Sequence, residues 1–452
     1  MNPKQSRQSV SPARRRAYDI LSRVETDRAY ASVLVAAPAK SEMSREDRTL
    51  AQEIVLGVLR WRRSLDFFIE RYSGRAIDRF DLPVLIALRM GLYQLRYLTR
   101  IPHSAAVNES VNLVKRARAA SAGGLVNAVL RKAANNLGEQ AGHGIADPLE
   151  RTSVELSHPR WILERWQAAL GDDETRQLAL ANNAPAATAF RVNTLRATVD
   201  DTLTNLKAEG VMTRASELVP GAFVVEGGPA SVIAGAAQRG QIYVQDPASQ
   251  LVSILLEPNT GNRVLDLCAA PGSKSSHIAA LAGDKAWIIA CDRHPHRLNA
   301  LRATCRRLGI ASVDALALDA TQALPFGDGA QQFDRVLVDA PCSGTGTLKG
   351  NPEIKWRLSP DDITRLAKLQ LSMLERAESS VASAGKLVYS TCSLEREENE
   401  EVVIRFLDSN PRFRVVEPNT HADVTTRDGF VRTYPHRQGT DGFFAAVLEK
   451  AP

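Results

Sequence analysis

The sequence predicts an α/β protein in three parts: an all-α N-terminal domain, a small α+β module and a doubly wound, Rossmann-like α/β domain. Three observations predict it. Apolar residues recur at helical spacing to about residue 137, strands and helices mix from Trp161, and strand alternates with helix after Asn262. These shifts place the domains at 1–140, 161–235 and 236–452, with a linker over 141–160.

In the first part, Ser44-Arg45-Glu46-Asp47 opens a run in which Leu50, Ile54, Leu56, Val58, Leu59 and Trp61 recur at three- and four-residue steps. Breakers stay few until Ser73-Gly74. Helices follow from Pro83 to Leu98, Ala105 to Ala119 and Gly124 to Asn136, and their short connections imply a bundle. Gly, Pro and polar residues then dominate 138–159, the signature of a linker. Phe190–Asn193 and Ala222–Glu226 look like strands around a helix at Asp200–Glu209. In the last part, strands at Arg263–Leu267, Ala286–Cys291, Ala315–Leu318, Arg335–Val338 and Lys386–Ser390 alternate with helical segments, which requires a parallel sheet with right-handed crossovers. Two further strands, Gly429–Tyr434 and Phe443–Leu448, are expected as an antiparallel hairpin at its edge.

Composition narrows the function classes. The chain has 452 residues, 44% hydrophobic and 24% charged, which excludes a mainly disordered or collagen-like protein. No apolar run reaches the ~18 residues of a membrane span, and no apolar segment follows Arg14-Arg15-Arg16, so a cytoplasmic protein is expected. Five cysteines, at 268, 291, 305, 342 and 392, form no CxxC, which argues against a disulfide framework or a zinc site. Residues 1–150 hold 24 Lys and Arg against 15 Asp and Glu, while the remainder holds 33 against 36. A basic front half suggests a docking surface for a polyanion, with Arg14, Arg15 and Arg16 as candidates.

The segment Val264-Leu265-Asp266-Leu267-Cys268-Ala269-Ala270-Pro271-Gly272-Ser273-Lys274 is a buried strand, a tight loop of small residues and the start of a helix. Such a loop admits a ligand close to the backbone at the carboxyl edge of the sheet. It lacks the glycine triad that seats a pyrophosphate, which argues against a dinucleotide. Acids end successive strands at Asp266, Asp292, Asp319 and Asp339. Asp292 is spaced to accept two ribose hydroxyls and Asp319 to accept an adenine amine. S-adenosylmethionine, with ribose and adenine but no phosphate, fits this description.

Two thiols follow strand ends, Cys342 in Asp339-Ala340-Pro341-Cys342-Ser343-Gly344 and Cys392 in Ser390-Thr391-Cys392-Ser393. Carbon-5 of a pyrimidine is too weak a nucleophile to attack a methyl sulfonium. A thiolate added at carbon-6 turns the ring into an enamine that can. Asp339 would hydrogen-bond the base at N3 or N4, and Lys274 would orient it and favour the thiolate. The residues alone leave open which cysteine attacks, whereas Cys268, Cys291 and Cys305 read as small buried hydrophobes.

The motifs DLCAAPGSKSSHIA, DAPCSGTGTL, NPEIKW, YSTCSLEREENEEVV and DGFFAAVLEK, with YVQDPASQ and RVNTLRAT, resemble the bacterial 16S ribosomal RNA (cytosine-5) methyltransferases of the RsmB, Sun or Fmu family. IPHSAAVNESVNLVKRA and GGLVNAVLRKA resemble the RNA-binding fold of NusB. The resemblance implies that Cys392 is the nucleophile, that Cys342 assists product release, and that Asp339 and Lys274 serve the base. It also implies cofactor contacts by Cys268, Ala269, Ala270, Pro271, Gly272, Ser273, Lys274, Asp292, Asp319 and Asp339, with S-adenosylmethionine as cofactor and no metal. Ser273 departs from the family, which usually has Gly there; a positive φ at this position would strain the loop. The expected partner is 16S ribosomal RNA, with no DNA and no membrane, and the protein is expected to be a monomer. A non-catalytic antitermination-type RNA-binding factor is the alternative, opposed by the presence of both thiols and all four strand-end acids.

Overall fold

A computed structural model describes residues 10–37, 43–326 and 332–452; the first nine residues of the expected domain at 1–140 lie outside it. The chain forms two compact units, one of Met1–Ala184 with Leu348–Arg357, the other of Pro185–Thr347 with Leu358–Pro452.

The first unit is helical. Helices Pro12–Thr26, Arg45–Arg60, Arg62–Ser73, Leu82–Tyr97, His103–Arg116 and Gly123–Ala134 enclose a core that includes Leu21, Ile54, Phe68, Leu88 and Leu130. Every residue from Val84 to Leu95 is buried, so the Leu82–Tyr97 helix is enclosed on all sides and forms the centre of the bundle. The apolar run beginning at Ser44 is two helices rather than one. It turns at Trp61, whose ring stacks on Tyr97 at 4.9 Å.

The three adjacent arginines do not form one docking patch. Successive helical residues point about 100° apart, which separates them. Arg14 is buried, donating from Nε to Gln94 at 2.6 Å and from Nη1 to Glu109 at 2.9 Å. Arg16 donates to the carbonyl of Ala37 at 2.5 Å, and only Arg15 is exposed. The stretch 141–160, expected as a linker, contains the helix Pro148–Glu155, capped by Asp147, and buries Val154, Leu156, Ser157 and His158. The chain leaves the first unit at Ala184.

Residues 348–357, carrying the Asn351-Pro352-Glu353-Ile354-Lys355-Trp356 motif, pack within this helical unit. Trp356 Nε1 donates to the Leu59 carbonyl at 2.6 Å, Lys355 Nζ to the Arg60 carbonyl at 3.1 Å, and Glu353 accepts from Ala31 N at 2.8 Å.

The second unit opens with an antiparallel sheet of β1 (Ala189–Val192), β2 (Met212–Ala215), β3 (Ala222–Gly227) and β4 (Ile242–Val244) in the order β2-β3-β1-β4. Helices Val199–Ala208 and Ala230–Gln238 complete a βαββαβ pattern. The larger sheet contains β5 (Arg263–Asp266), β6 (Trp287–Asp292), β7 (Val313–Ala317), β8 (Phe333–Asp339), β9 (Val381–Thr391), β10 (Phe413–Val415), β11 (Val431–Arg432) and β12 (Phe444–Lys450). Its order is β10-β12-β9-β8-β5-β6-β7, with β11 beside β12. Strands β5 to β9 are parallel, and β10, β11 and β9 all pair antiparallel to β12. The expected hairpin is thus present as β11 and β12, whereas β12 itself lies inside the sheet between β9 and β10. Strand order reverses at β5, which has β6 on one side and β8 on the other. That switch point fixes where a ligand crevice opens.

Candidate active site

Strand β5 ends in Asp266, a fully buried carboxyl that accepts from Ser275 Oγ at 2.7 Å and from Cys268 N at 3.4 Å. Burial, assisted by the charge of Asp339, raises it to about 7 against the Ser275 hydrogen bond. The unfolded chain therefore loses this proton first, and stability falls as pH rises from about 4 to about 7. Without ligand, Asp266→Asn is expected to raise the melting temperature at pH 8, by up to ~4 kcal/mol of stability, and to change little at pH 4. Thermal denaturation at both pH values checks this; equal shifts at the two would mean that Asp266 is ionised throughout.

The loop after β5 turns at Gly272, φ 100°, where an added Cβ would lie 3.3 Å from Leu301 Cα. Gly272 N donates to Ala269 O and Ala269 N to Cys291 O, both at 2.7 Å, so the small residues lie against the sheet edge. Ser273 is the first residue of the helix Ser273–Leu281 and has no positive φ. The left-handed position belongs to Gly272, so a serine next to it costs no backbone strain.

Lys274, on the first turn of that helix, is buried and donates to Asp339 Oδ2 at 2.7 Å and to Ser249 Oγ at 3.3 Å. Burial lowers its pKa, but the Asp339 charge and hydrogen bond outweigh this and the net shift is upward, so Lys274 is an ammonium. Asp339 Oδ1 accepts from Ser390 Oγ at 2.8 Å, which ties the end of β8 to the end of β9.

Asp292 accepts from His294 N at 2.9 Å on one oxygen and lies 3.1 Å from Arg297 on the other. Arg297 also donates to the Ala270 carbonyl at 2.9 Å, joining the β5 and β6 loops. Each Asp292 oxygen keeps a free lone pair, so the carboxylate can still receive two hydroxyls. Asp319 stands apart from these contacts: Thr321 donates to it from N and Oγ1 and holds its pKa low, and Arg293 lies 3.3 Å away. Burial first, then the charges of Asp266, Asp339 and Asp292, push the Cys268 thiol well up, which locates three of the four acids around it. Three carboxyl groups beside one lysine and one arginine suit a cationic adenosyl ligand with hydroxyls and no phosphate.

The two thiols at issue meet. Cys342 Sγ and Cys392 Sγ are 3.2 Å apart, and Cys392 N donates to Cys342 Sγ at 3.3 Å. Gly346 N donates to the Cys392 carbonyl at 2.9 Å, and any side chain at 346 would collide with Gly442 O. The hydrogen bond to Cys392, then burial, raise Cys342 well above the ordinary thiol range. Cys291 and Cys305 are buried, and burial pushes them up to about 12 and about 11. Such thiols are inert. Sequence reasoning missed Ser249, Ser275, Ser390, Arg297 and the buried Glu398, which accepts from both Ser343 and Ser393.

The family described as "16S rRNA methyltransferase RsmB/F" matches residues 253–449, "NusB family" matches 11–135, and the RsmF/B-like ferredoxin-like domain matches 158–232. The chain is 35% identical over 445 residues to the probable ribosomal RNA small subunit methyltransferase B of Bacillus subtilis, covering 96% of this chain and 98% of the relative. It is also 35% identical to the ribosomal RNA small subunit methyltransferase B of Pseudomonas putida, covering 93% and 94%. The crystal structure of PH0851 superposes with a TM-score of 0.84 at 30% identity, covering 98% of this chain and 99% of that one.

Proposed function

The chain belongs to the ribosomal RNA small subunit methyltransferase B family, and from that premise we propose that it methylates carbon-5 of a cytosine in 16S ribosomal RNA through a covalent bond to Cys392. The observation that carries this reading is the pair of thiols 3.2 Å apart, at the ends of the same adjacent strands that Lys274, Asp339 and Ser390 tie together. S-adenosylmethionine, when bound, supplies an electrophilic methyl group.

The protein's own residues do the rest. The loop Cys268–Lys274, with Asp292, Asp319 and Asp339, would hold the cofactor. The Lys274 ammonium favours a thiolate at Cys392 and, with Asp339, grips the polar edge of the target base. The Cys392 thiolate adds to carbon-6, and electrons pushed to carbon-5 let that atom take the methyl group. Loss of the carbon-5 proton then expels the Cys392 sulfur and restores the aromatic ring. Cys342, whose thiol keeps its proton 3.2 Å away, can hydrogen-bond the departing sulfur. The NusB-like unit and the ferredoxin-like module would contact phosphate and sugar, positioning the RNA without reading the base. The target base must be unstacked for its carbon-6 to reach a thiol held at a strand end.

Labelled S-adenosylmethionine incubated with unmodified 16S RNA is expected to yield label as 5-methylcytidine after nucleoside digestion. Label on any other nucleoside, or on protein alone, would overturn the assignment.

A further inference from the structure

The two cysteine loops are anchored to one carboxylate. Ser343 follows Cys342 and donates to Glu398 from its backbone N at 2.8 Å and from its hydroxyl. Ser393 follows Cys392 and donates to the same carboxylate from Oγ at 2.5 Å. The two serine hydroxyls lie 2.9 Å from each other. Gln370 Nε2 gives Glu398 a further donor at 2.9 Å and also holds the Pro341 carbonyl, one residue before Cys342, at 3.0 Å. On the other loop, Asn399 accepts from Thr391 Oγ1 at 2.5 Å and donates to the Ser393 carbonyl at 2.9 Å. Tyr389 Oη, on β9, donates to the Glu398 carbonyl at 2.5 Å.

We propose that Glu398 is a positioning residue for the thiol pair: it sets the spacing of Cys342 and Cys392 by accepting hydrogen bonds from the serine that follows each. The reasoning is geometric. The sulfurs belong to separate strand-end loops, and the only bonds between the thiols themselves are weak ones through sulfur. A fully buried carboxylate with donors from both loops makes short, charge-assisted bonds that neither loop could replace alone. Glu398 acts through Ser343 and Ser393. Its value for turnover rests on the reaction proposed above, because one thiol must bond the base while the other stays within reach of the sulfur as it leaves.

The test reads the spacing without RNA. Diamide takes two electrons and two protons from a thiol pair, giving a disulfide and a hydrazine, at a rate set by how often the sulfurs meet. In wild type, Cys342 and Cys392 are expected to join readily. Glu398→Gln is expected to slow that step at least tenfold while Cys291 and Cys305 remain unreactive, which separates a loosened clamp from unfolding. Its kcat on RNA should fall by a similar factor, with KM for RNA and cofactor within twofold. Disulfide formation at the wild-type rate would overturn the proposal, as would slowed formation with an unchanged kcat. If the wild-type protein methylates no RNA, the functional reading fails, yet the diamide rates still decide whether Glu398 sets the spacing. Should Glu398→Gln not fold, Ser393→Ala removes one donor and leaves the carboxylate, and about threefold slower disulfide formation is expected.

Discussion

Cys392→Ala is expected to abolish methylation, with a loss of ~10⁴-fold or more, and to form no covalent RNA complex. Carbon-5 of cytosine becomes nucleophilic only after an anion has added at carbon-6, so removing the thiolate removes the chemical step rather than slowing it. Binding should survive, because Lys274, Asp339 and the acids around Cys268 do not depend on that sulfur for their hydrogen bonds. Single-turnover methylation and denaturing-gel detection of the RNA–protein adduct check this. An adduct in the Cys392→Ala protein would transfer the nucleophile's role to Cys342.

The opposite behaviour is expected of Cys342→Ala. Cys392 can still attack and the methyl group can still move, but the departing sulfur loses the thiol that lies 3.2 Å away. The covalent complex should accumulate to near stoichiometric amounts, with steady-state turnover down by ~10²-fold or more, the range ascribed to a positioned proton donor. The two single variants differ in which species builds up, so gel mobility separates them even where both are inactive. Absence of the accumulated complex would leave Cys342 without a part in release.

Which features were legible in the sequence follows from their physical origin. The parallel strands stood out because the segments 264–265 of β5, 288–291 of β6, 336–338 of β8 and 387–389 of β9 are buried and read as apolar runs followed by Asp or Ser. Strand β2 did not, because Met212–Ala215 is mostly exposed with no alternation, and β4 and β10 span three residues each. The α+β module therefore appeared with two strands instead of four. At the site, the loop Cys268–Lys274 and both thiols declared themselves as motifs, and the structure adds how they are held. Glu398 sits in the run Glu395-Arg396-Glu397-Glu398-Asn399-Glu400-Glu401, which as sequence resembles a solvated acidic face. The tertiary fold turns this carboxylate, and that of Glu395, inward. Arg14 is the same case in reverse sign: identical to its two neighbours as a letter, it is distinguished by the buried Gln94 and by Glu109, which lie far along the chain. Buried polar partners distant in sequence leave no local pattern.

The placement of residues 348–357 in the helical unit has a consequence for how the polypeptide can be dissected. Its backbone crosses between the two units three times, at 184/185, 347/348 and 357/358. Cleavage at the first crossing alone cannot free the front portion, which stays threaded to the remainder by a ten-residue strap anchored through Trp356 and Lys355. A fragment that starts after residue 184 would still carry that strap, stripped of the helices that satisfy its indole and amino groups.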